Sequence, residues 1–583
     1  MQHHRRTVLV AGCVTLLMLT GCTQTVTQAQ STIVPSGAEA DRGVSEERSP
    51  SQHSGGTLRI VAGTPDSLDP ARSYFPWVWN VMRLYTRTLV TYAAAPGDAG
   101  GELVPDLATG PGVPSEGGTT WTYTLKPDQH FEDGSVITAA DVKYGIERSF
   151  AADVVVGGPT YVVDLLDDPA NVYGGPYTDP HPEKLGLATV ETPDEQTLVF
   201  RLNRPYADFD HIMALPSSSP VPRDADTGAD YGDDPVSSGP YAITSVDEGR
   251  SITLERNRRW DRSSDPVRTA LPDRVEIRTG LTGPERDQRV IGGAADLDVM
   301  NTGVQPETLA RIEADTGLQS RTDRATSGTV RMLALPVSVP PMDNVHCRRA
   351  VALAVDRSAL VDDLGGPDAV SAAQSLWPQS LPGFPTPPPT TGEPLLAEAR
   401  VAEAQTELAA CGRPDGFTVR IATPNDQRPL QVARTVSESL RQIGVVGIVV
   451  GLDPATYYTS DIGRPDNVTA EEYGILVTAW TGDLPTPSTY YPPLVSAVQP
   501  TGSANYAQIA DPDLLAVANT ALSAREPAVA RDAWRTVDEA LVELAAYVPL
   551  VEERVVLLAG ERLRNAYVHA AYGGYDLTVL GVR

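Results

Sequence analysis

The stretch from Phe417 to Leu452 restricts the fold more than any other part of this 583-residue chain. Phe417–Ala422 (FTVRIA) alternates apolar and polar residues. Leu430–Ile443 has helical spacing and stops at Gly444, and Val446–Leu452 (VGIVVGL) is a second apolar strand. Two strands joined through a helix run parallel, and a parallel sheet is stable only when both its faces are covered. At least one α/β layer structure is therefore required. The same alternation reads elsewhere. Gly56–Ala62, Trp121–Leu125, Leu198–Leu202 and Ser251–Glu255 are strand-like, and Thr138 three residues before Asp141 forms a capping box ahead of AADVKYGIERSF. Asp343 is placed to cap a helix from Val345 to about Leu364. Leu395–Ala410 and 528–546 predict further helices, Arg554–Leu558 a strand, and the Pro-rich stretch 381–394 a loop. At about 150 residues per domain the length suggests three to four structural units.

The N-terminus reads as a targeting device. Met1–Arg6 is basic and residues 7–20 (TVLVAGCVTLLMLT) form a 14-residue apolar run. That suits a secretory leader and is short of the ~20 residues a transmembrane helix needs. It ends Leu19-Thr20-Gly21-Cys22, which resembles a bacterial lipobox, so residues 1–21 are expected as a lipoprotein signal peptide and Cys22 as the lipidated first residue of the mature chain. Residues 22–54, rich in Ser, Thr, Gln, Pro and Gly, read as a flexible tether. With Cys13 in the leader and Cys22 lipidated, Cys347 and Cys411 remain as a pair in an oxidising exterior. The expectation is a disulfide, the alternative two buried thiols.

Forty-six basic residues stand against 75 acidic ones, a formal charge of −29, which excludes nucleic-acid binding as a main role because phosphate neutralisation needs a positive field. No phosphate loop, H-E-x-x-H, G-x-S-x-G or C-x-x-C motif is present, and the eight histidines do not fall at metal-ligand spacing. The chain is not expected to be an enzyme or to hold a cofactor or metal.

Read in order, a series of short motifs resembles the family 5 extracellular solute-binding proteins of ABC importers, the oligopeptide-, dipeptide- and nickel-binding class. They are Gly55–Arg59, Leu68-Asp69-Pro70, Val104–Ala108, Trp121–Leu125, Phe131–Gly134, Thr138–Val142 with Arg148, and Ser238–Tyr241 with Asn257 and Trp260. Pro340–Asp343, Arg348–Ala350, Ala354–Arg357, Trp480–Asp483 and Val548–Leu550 follow. The resemblance covers about residues 55–583, with one departure at Leu335-Pro336, where relatives often carry an Asn.

The resemblance implies a two-lobed, periplasmic-binding-protein-like (type II) α/β fold with an extra subdomain and a hinge. Lobe I is expected as 55–95, 216–327 and 501–583, the extra subdomain as 96–215, and lobe II as 328–500, with two strands crossing between lobes. Most of the motifs are structural: turns, caps and strand starts. Trp480 and Asp483 are the exceptions. In peptide-binding relatives an Asp three residues after such a Trp receives the peptide's α-ammonium, and a carboxylate in a closed cleft pairs with a cation more strongly than in water. Trp480 is expected to pack beneath the site or to stack on the ligand. Tyr74, Phe75, Trp77 and Trp79 cluster after the first strand, and Tyr490 and Tyr491 follow Asp483. From these, Tyr74, Phe75, Trp77 and Tyr490 join Asp483 and Trp480 as candidate ligand-binding residues. The implied function is capture of an oligopeptide and delivery to an ABC permease by a monomer held on the membrane through Cys22. A sugar, opine or nickel chelate as solute, or a secreted hydrolase or peptide-signal receptor, are the alternatives.

Overall fold

The computed structural model describes residues 40–179, 186–379, 381 and 397–583, so the expected leader 1–21, Cys22, residues 22–39 of the tether and the loop residues 382–394 lie outside the described residues. The first strand, Thr57–Val61, turns Leu58 and Ile60 inward and leaves Thr57 and Arg59 half-buried, as its alternation requires. It pairs in parallel with Arg274–Arg278 and Leu297–Asp298. The hairpin Tyr241–Asp247/Ser251–Arg256 completes a five-stranded sheet.

The extra subdomain carries a four-stranded antiparallel sheet in the order Val113–Ser115, Thr120–Thr124, Thr197–Arg201, Val190–Glu191. Its inward residues Trp121, Tyr123 and Phe200 pack with Phe209 in the same continuous core as Leu58 and Ile60, so subdomain and lobe I form one body. The Thr138/Asp141 capping box is present and starts helix Ala139–Arg148. At the end of that helix Arg148, fully buried, makes two 2.8 Å hydrogen bonds to Asp69. A buried bidentate pair of this kind fixes the helix against the loop that follows the first strand.

Lobe II is built on a six-stranded sheet in the order Val370–Ala372, Tyr547–Leu558, Thr322–Ala334, Tyr473–Thr481, Thr418–Pro424, Val446–Leu452. The expected βαβ unit is there: Thr418–Pro424 and Val446–Leu452 are parallel, linked by helix Gln427–Arg441, whose apolar side buries Val432, Val436 and Leu440. The long helix expected from Val345 is two helices. Asn344, not Asp343, caps Val345–Ala354, Val355 is extended, and Asp356 caps Arg357–Asp363 by accepting from the Ser358 and Ala359 amides.

Two expected boundaries are corrected. Residues 501–551 belong to lobe II rather than lobe I. Helices Pro512–Ser523 and Pro527–Glu543 bury Leu514, Trp534, Val537 and Leu541 against Trp377 and Tyr491, and the strand Tyr547–Leu558 lies inside the lobe II sheet. Its apolar start, Tyr547–Val551, needs cover on both faces, which an interior sheet position supplies. The chain rejoins the lobe I core at Leu557 and remains in it to Val582.

The tether expected over 22–54 does not extend to 54, because residues 41–51 are docked on the body. Arg48 and Ala566 exchange backbone hydrogen bonds, the Gly43 carbonyl accepts from the Val568 amide, and Asn565 binds Ser51. Arg48 is buried and pairs at 2.6 Å with Asp323, which also accepts from the Gly43 amide and the Tyr575 hydroxyl. The segment's polar composition, read as disorder, hides two ion pairs with the body, Arg48–Asp323 and Asp41–Arg324.

Two strands cross between the lobes. Thr322–Ala334 and Tyr547–Leu558 are antiparallel, with Ala325 and Leu557 in the lobe I core and Val330, Met332 and Tyr547 in the lobe II core. Their pairing breaks between Thr326 and Val330, where Gly328 takes a φ of 75°, a conformation open to glycine at little cost. Cys347 and Cys411 are joined in a disulfide tying helix Val345–Ala354 to the end of helix Ala397–Ala410.

Arg48→Ala removes one partner of a buried pair and should cost about 3 kcal/mol. Urea unfolding reads that loss, and trypsin should gain a cleavage site ahead of residue 56. The disulfide closes a loop with a sequence separation of 64, worth about 4 kcal/mol in the chain-entropy model. Reduction should lower the unfolding midpoint of lobe II accordingly in a differential scan of oxidised against reduced protein.

Candidate functional site

A cleft of about 200 Å³ lies between the two bodies. Trp77 and Tyr572 line it from lobe I, Thr326–Gly328 of the crossing strand form its floor, and Pro378 and Gly482–Pro485 line it from lobe II. The floor is the break in strand pairing, so site and hinge share residues.

Asp483 follows strand Tyr473–Thr481, which ends as the chain meets Gly482 and Pro485; Thr486 then caps the turn Pro487–Tyr490 by accepting from the Ser488 amide. Asp483 Oδ2 accepts from the hydroxyls of Tyr74 and Tyr161, each at 2.5 Å. Tyr74 comes from lobe I and Tyr161 from the extra subdomain, so one lobe II carboxylate meets two phenols from the opposite body. Tyr74 is held by its own backbone: its amide donates to Asp66, whose other oxygen takes the Ser73 hydroxyl, and the Trp79 indole N–H donates to the Ser73 carbonyl. Burial first, and then the Asp483 charge, push both phenols well above the usual tyrosine range, so each is a neutral donor at physiological pH. Neither phenol uses Oδ1. Nearby, Thr486 donates to the Asp208 carboxylate and Tyr206 to Ser488 Oγ at 3.2 Å, further contacts between the subdomain and the lobe II loop.

The other expected site residues divide. Trp77 lines the cleft, is 5 % exposed, and its indole N–H has no partner. Trp480 is half-buried; its indole N–H donates to the Tyr490 carbonyl at 3.0 Å and its ring packs on the lobe II core, so it braces the Asp483 loop from below. Phe75 is 44 % exposed but does not line the cleft. Tyr490 is a correction. It is wholly buried in the lobe II core beside Tyr491, which stacks on Trp534, and a side chain so enclosed offers a ligand nothing. Tyr161 and Tyr572 were missed. Nothing in YVVDLL distinguishes Tyr161 from any amphipathic helix residue, and Tyr572 lies far along the chain from the other lining residues.

Beneath the cleft-lining turn Ala570–Gly573 sits His569, fully buried. Its Nδ1 accepts from the Ala571 amide and its Nε2 lies 3.1 Å from the Ala93 carbonyl, which assigns the proton to Nε2. Burial holds its pKa down to about 4, against the pull of Asp576, while Arg83 reinforces the lowering.

A family model for bacterial extracellular solute-binding proteins, family 5 (middle), matches residues 102–501. The chain belongs to that family. Among solved structures it is similar to the clavulanic acid biosynthesis oligopeptide binding protein 2, with a TM-score of 0.88 and 42 % identity over 94 % of this chain and 99 % of that one. Among relatives in sequence, the probable ABC transporter periplasmic-binding protein SapA of Escherichia coli is 24 % identical over 465 residues, covering 77 % of this chain and 78 % of that protein. The oligopeptide-binding protein OppA of Bacillus subtilis is 23 % identical over 383 residues, 64 % and 66 % of the two chains. These relatives are extracytoplasmic solute-binding proteins, not enzymes, and the fold is the two-lobed one of periplasmic binding proteins.

His569 provides a test of the cleft's lower wall. Its folded pKa lies below the ordinary value of 6.5, so the folded state binds fewer protons than the unfolded one. The stability it contributes is complete above about pH 6.5 and is lost as pH falls toward 4, by about 3 kcal/mol in all. His569→Asn should flatten that part of the pH–stability curve. Urea unfolding at half-unit steps from pH 7 to 4 measures it, and equal slopes in both proteins would refute the assignment.

Proposed function

We propose that this protein is the extracytoplasmic binding component of an ABC importer, held on the membrane by lipid on Cys22, which captures oligopeptides between its lobes and delivers them to a permease. The observation that carries the reading is Asp483: a carboxylate from one lobe, aimed into the cleft and held by hydroxyls of the opposite body. A peptide ammonium placed there contacts both bodies at once, so its binding favours the closed arrangement by differential affinity, without covalent chemistry. The bent crossing strand at the floor offers the backbone of Ser327 and Gly328, outside both neighbouring ladders, to an extended peptide in the manner of an added strand. The similarity to proteins described as oligopeptide-binding supports the ligand class. Trp77 supplies an apolar wall with one free donor, the kind of surface that accepts varied side chains. The protein acts as a monomer in this reading.

Asp483→Ala should weaken binding of free-amine peptides by about 30-fold, the loss of one charge-assisted hydrogen-bonded contact, and leave N-acetylated peptides nearly unchanged. Calorimetric titration of both peptide forms into both proteins measures it, and equal weakening would remove the amine-pairing role. Native mass spectrometry of gently purified protein should show peptide masses; a single non-peptide species would instead point to a sugar, opine or metal chelate. Labelling of cells with a palmitate analogue should mark the protein and not its Cys22→Ser variant.

A further inference from the structure

We propose that the extra subdomain is a second tie between the two bodies. Through Tyr206, Ala207 and Asp208 it holds lobe II at the loop 482–488 and at Leu522, and release of this tie sets how fast a guest enters and leaves the cleft. This rests on the reading that a peptide binds in the cleft, and it adds Asp208 and Thr486, which do not line the cleft, as positioning residues.

The tie joins two rigid platforms. On the subdomain side Phe209 is fully buried against Trp121, Tyr123 and Phe200, which fixes the backbone just before it. Asp208 stands at the N-cap of the short helix Phe209–Ile212, where an Asp side chain ordinarily accepts from its own helix. It makes no capping bond there and accepts instead from the Thr486 hydroxyl of lobe II. On the lobe II side Tyr490 and Tyr491 are sealed in the core, and Thr489 Oγ1 lies 3.3 Å from the Leu484 amide that donates to it.

Three further contacts cross between the platforms. The Tyr206 hydroxyl donates to Ser488 Oγ at 3.2 Å, and the Ala207 amide donates to the Leu522 carbonyl at 2.7 Å. Leu484, a lobe II residue 4 % exposed, packs in the hydrophobic core of the opposite body, and Leu522 touches both cores.

Bodies joined by the crossing strands alone could rotate at Gly328 without losing another contact. Here a rotation must carry the loop along with the subdomain, or draw Leu484 out of the opposite core and break the bonds to Asp208, Tyr206 and Ala207. The bond to the Asp208 carboxylate is charge-assisted and the strongest of these; the others are modest, and the buried leucine adds an apolar term. A tie of this strength is broken by local opening without unfolding either body. Because it makes no contact with the guest, its release scales entry and exit alike.

Hydrogen exchange reads the tie directly, since the Ala207 amide is protected by a bond that crosses it. The measurement uses the full-length protein dialysed free of small molecules. Thr486→Val keeps the side-chain shape and removes the hydroxyl, and should speed exchange at Ala207 about tenfold. Thr486→Ser should restore the wild-type rate, and the strand Thr120–Thr124 of the same subdomain should exchange as before. Asp208→Ala combined with Thr486→Val should be within about twofold of either alone, because both remove the same bond. A randomised tetrapeptide library, followed by native mass spectrometry after mixing and after dilution, should bind and dissociate about tenfold faster in Thr486→Val, with affinity within about threefold of wild type. Unchanged exchange at Ala207, exchange raised equally across the subdomain, or faster exit without faster entry would each overturn the proposal. A library that the wild-type protein does not bind would overturn the peptide reading instead, and the exchange rates would still decide whether the tie exists.

Discussion

The structure depends on a pair of strands that belong to two cores at once. Thr322–Ala334 and Tyr547–Leu558 begin or end in lobe I, run through the middle of the lobe II sheet, and hold together by hydrogen bonds over most of their length. A continuous antiparallel ladder would be stiff. The break at Ser327–Thr329, with Gly328 in the left-handed region, removes ladder bonds at one place and lets the two well-packed ends rotate as units. Because close-packed cores deform little, any relative motion of the lobes must concentrate there. The candidate cleft lies on that same break, so its lining includes the joint and both bodies it connects.

The polar contacts across the cleft have a common chemistry. Tyr74 and Tyr161 to Asp483, Thr486 to Asp208, and Tyr206 to Ser488 all pair a hydroxyl with a carboxylate or another hydroxyl. The buried ion pairs, Arg148–Asp69, Arg48–Asp323 and Arg83–Asp576, lie instead within one body or at its junction with the hinge. Hydroxyl contacts exchange with water at little net cost, whereas separating a buried ion pair costs several kcal/mol. Ion pairs thus secure what stays fixed, and neutral donors close what must open.

Much of this was legible because it is local. Strand alternation at Leu58 and Ile60, the Thr138/Asp141 box, and the βαβ unit ending at Leu452 each follow from periods and caps within a dozen or so residues. What was not legible depends on distant partners. Tyr490 and Tyr74 are both tyrosines beside other aromatics, yet one is sealed in a core and the other reaches a carboxylate 409 positions away. The strand 547–558 carries no mark that it pairs with 322–334 rather than returning at once to lobe I. Asn344 and Asp343 are equally good caps by composition, and the choice is made by where Val345 begins to pack. The docked segment 41–51 was misread for the same reason: a polar stretch appears disordered until the buried Asp323 that needs Arg48 is known.

That segment also ties the first described residues to the crossing strand. Asp41 binds the backbone and side chain of Arg324, three residues before the break at Ser327, and the same guanidinium reaches Asp368 of lobe II at 3.1 Å. Arg48 and Gly43 hold the adjacent Asp323. The docked segment therefore sits at the root of the crossing strand rather than on the outer surface of either lobe. When two bodies rotate about a joint, points near the axis move least. The contacts of Arg48 with Asp323 and of Asp41 with Arg324 lie close to that axis, so ion pairs placed there are disturbed least as the two bodies move, which is the position best suited to a buried charge pair that is costly to separate.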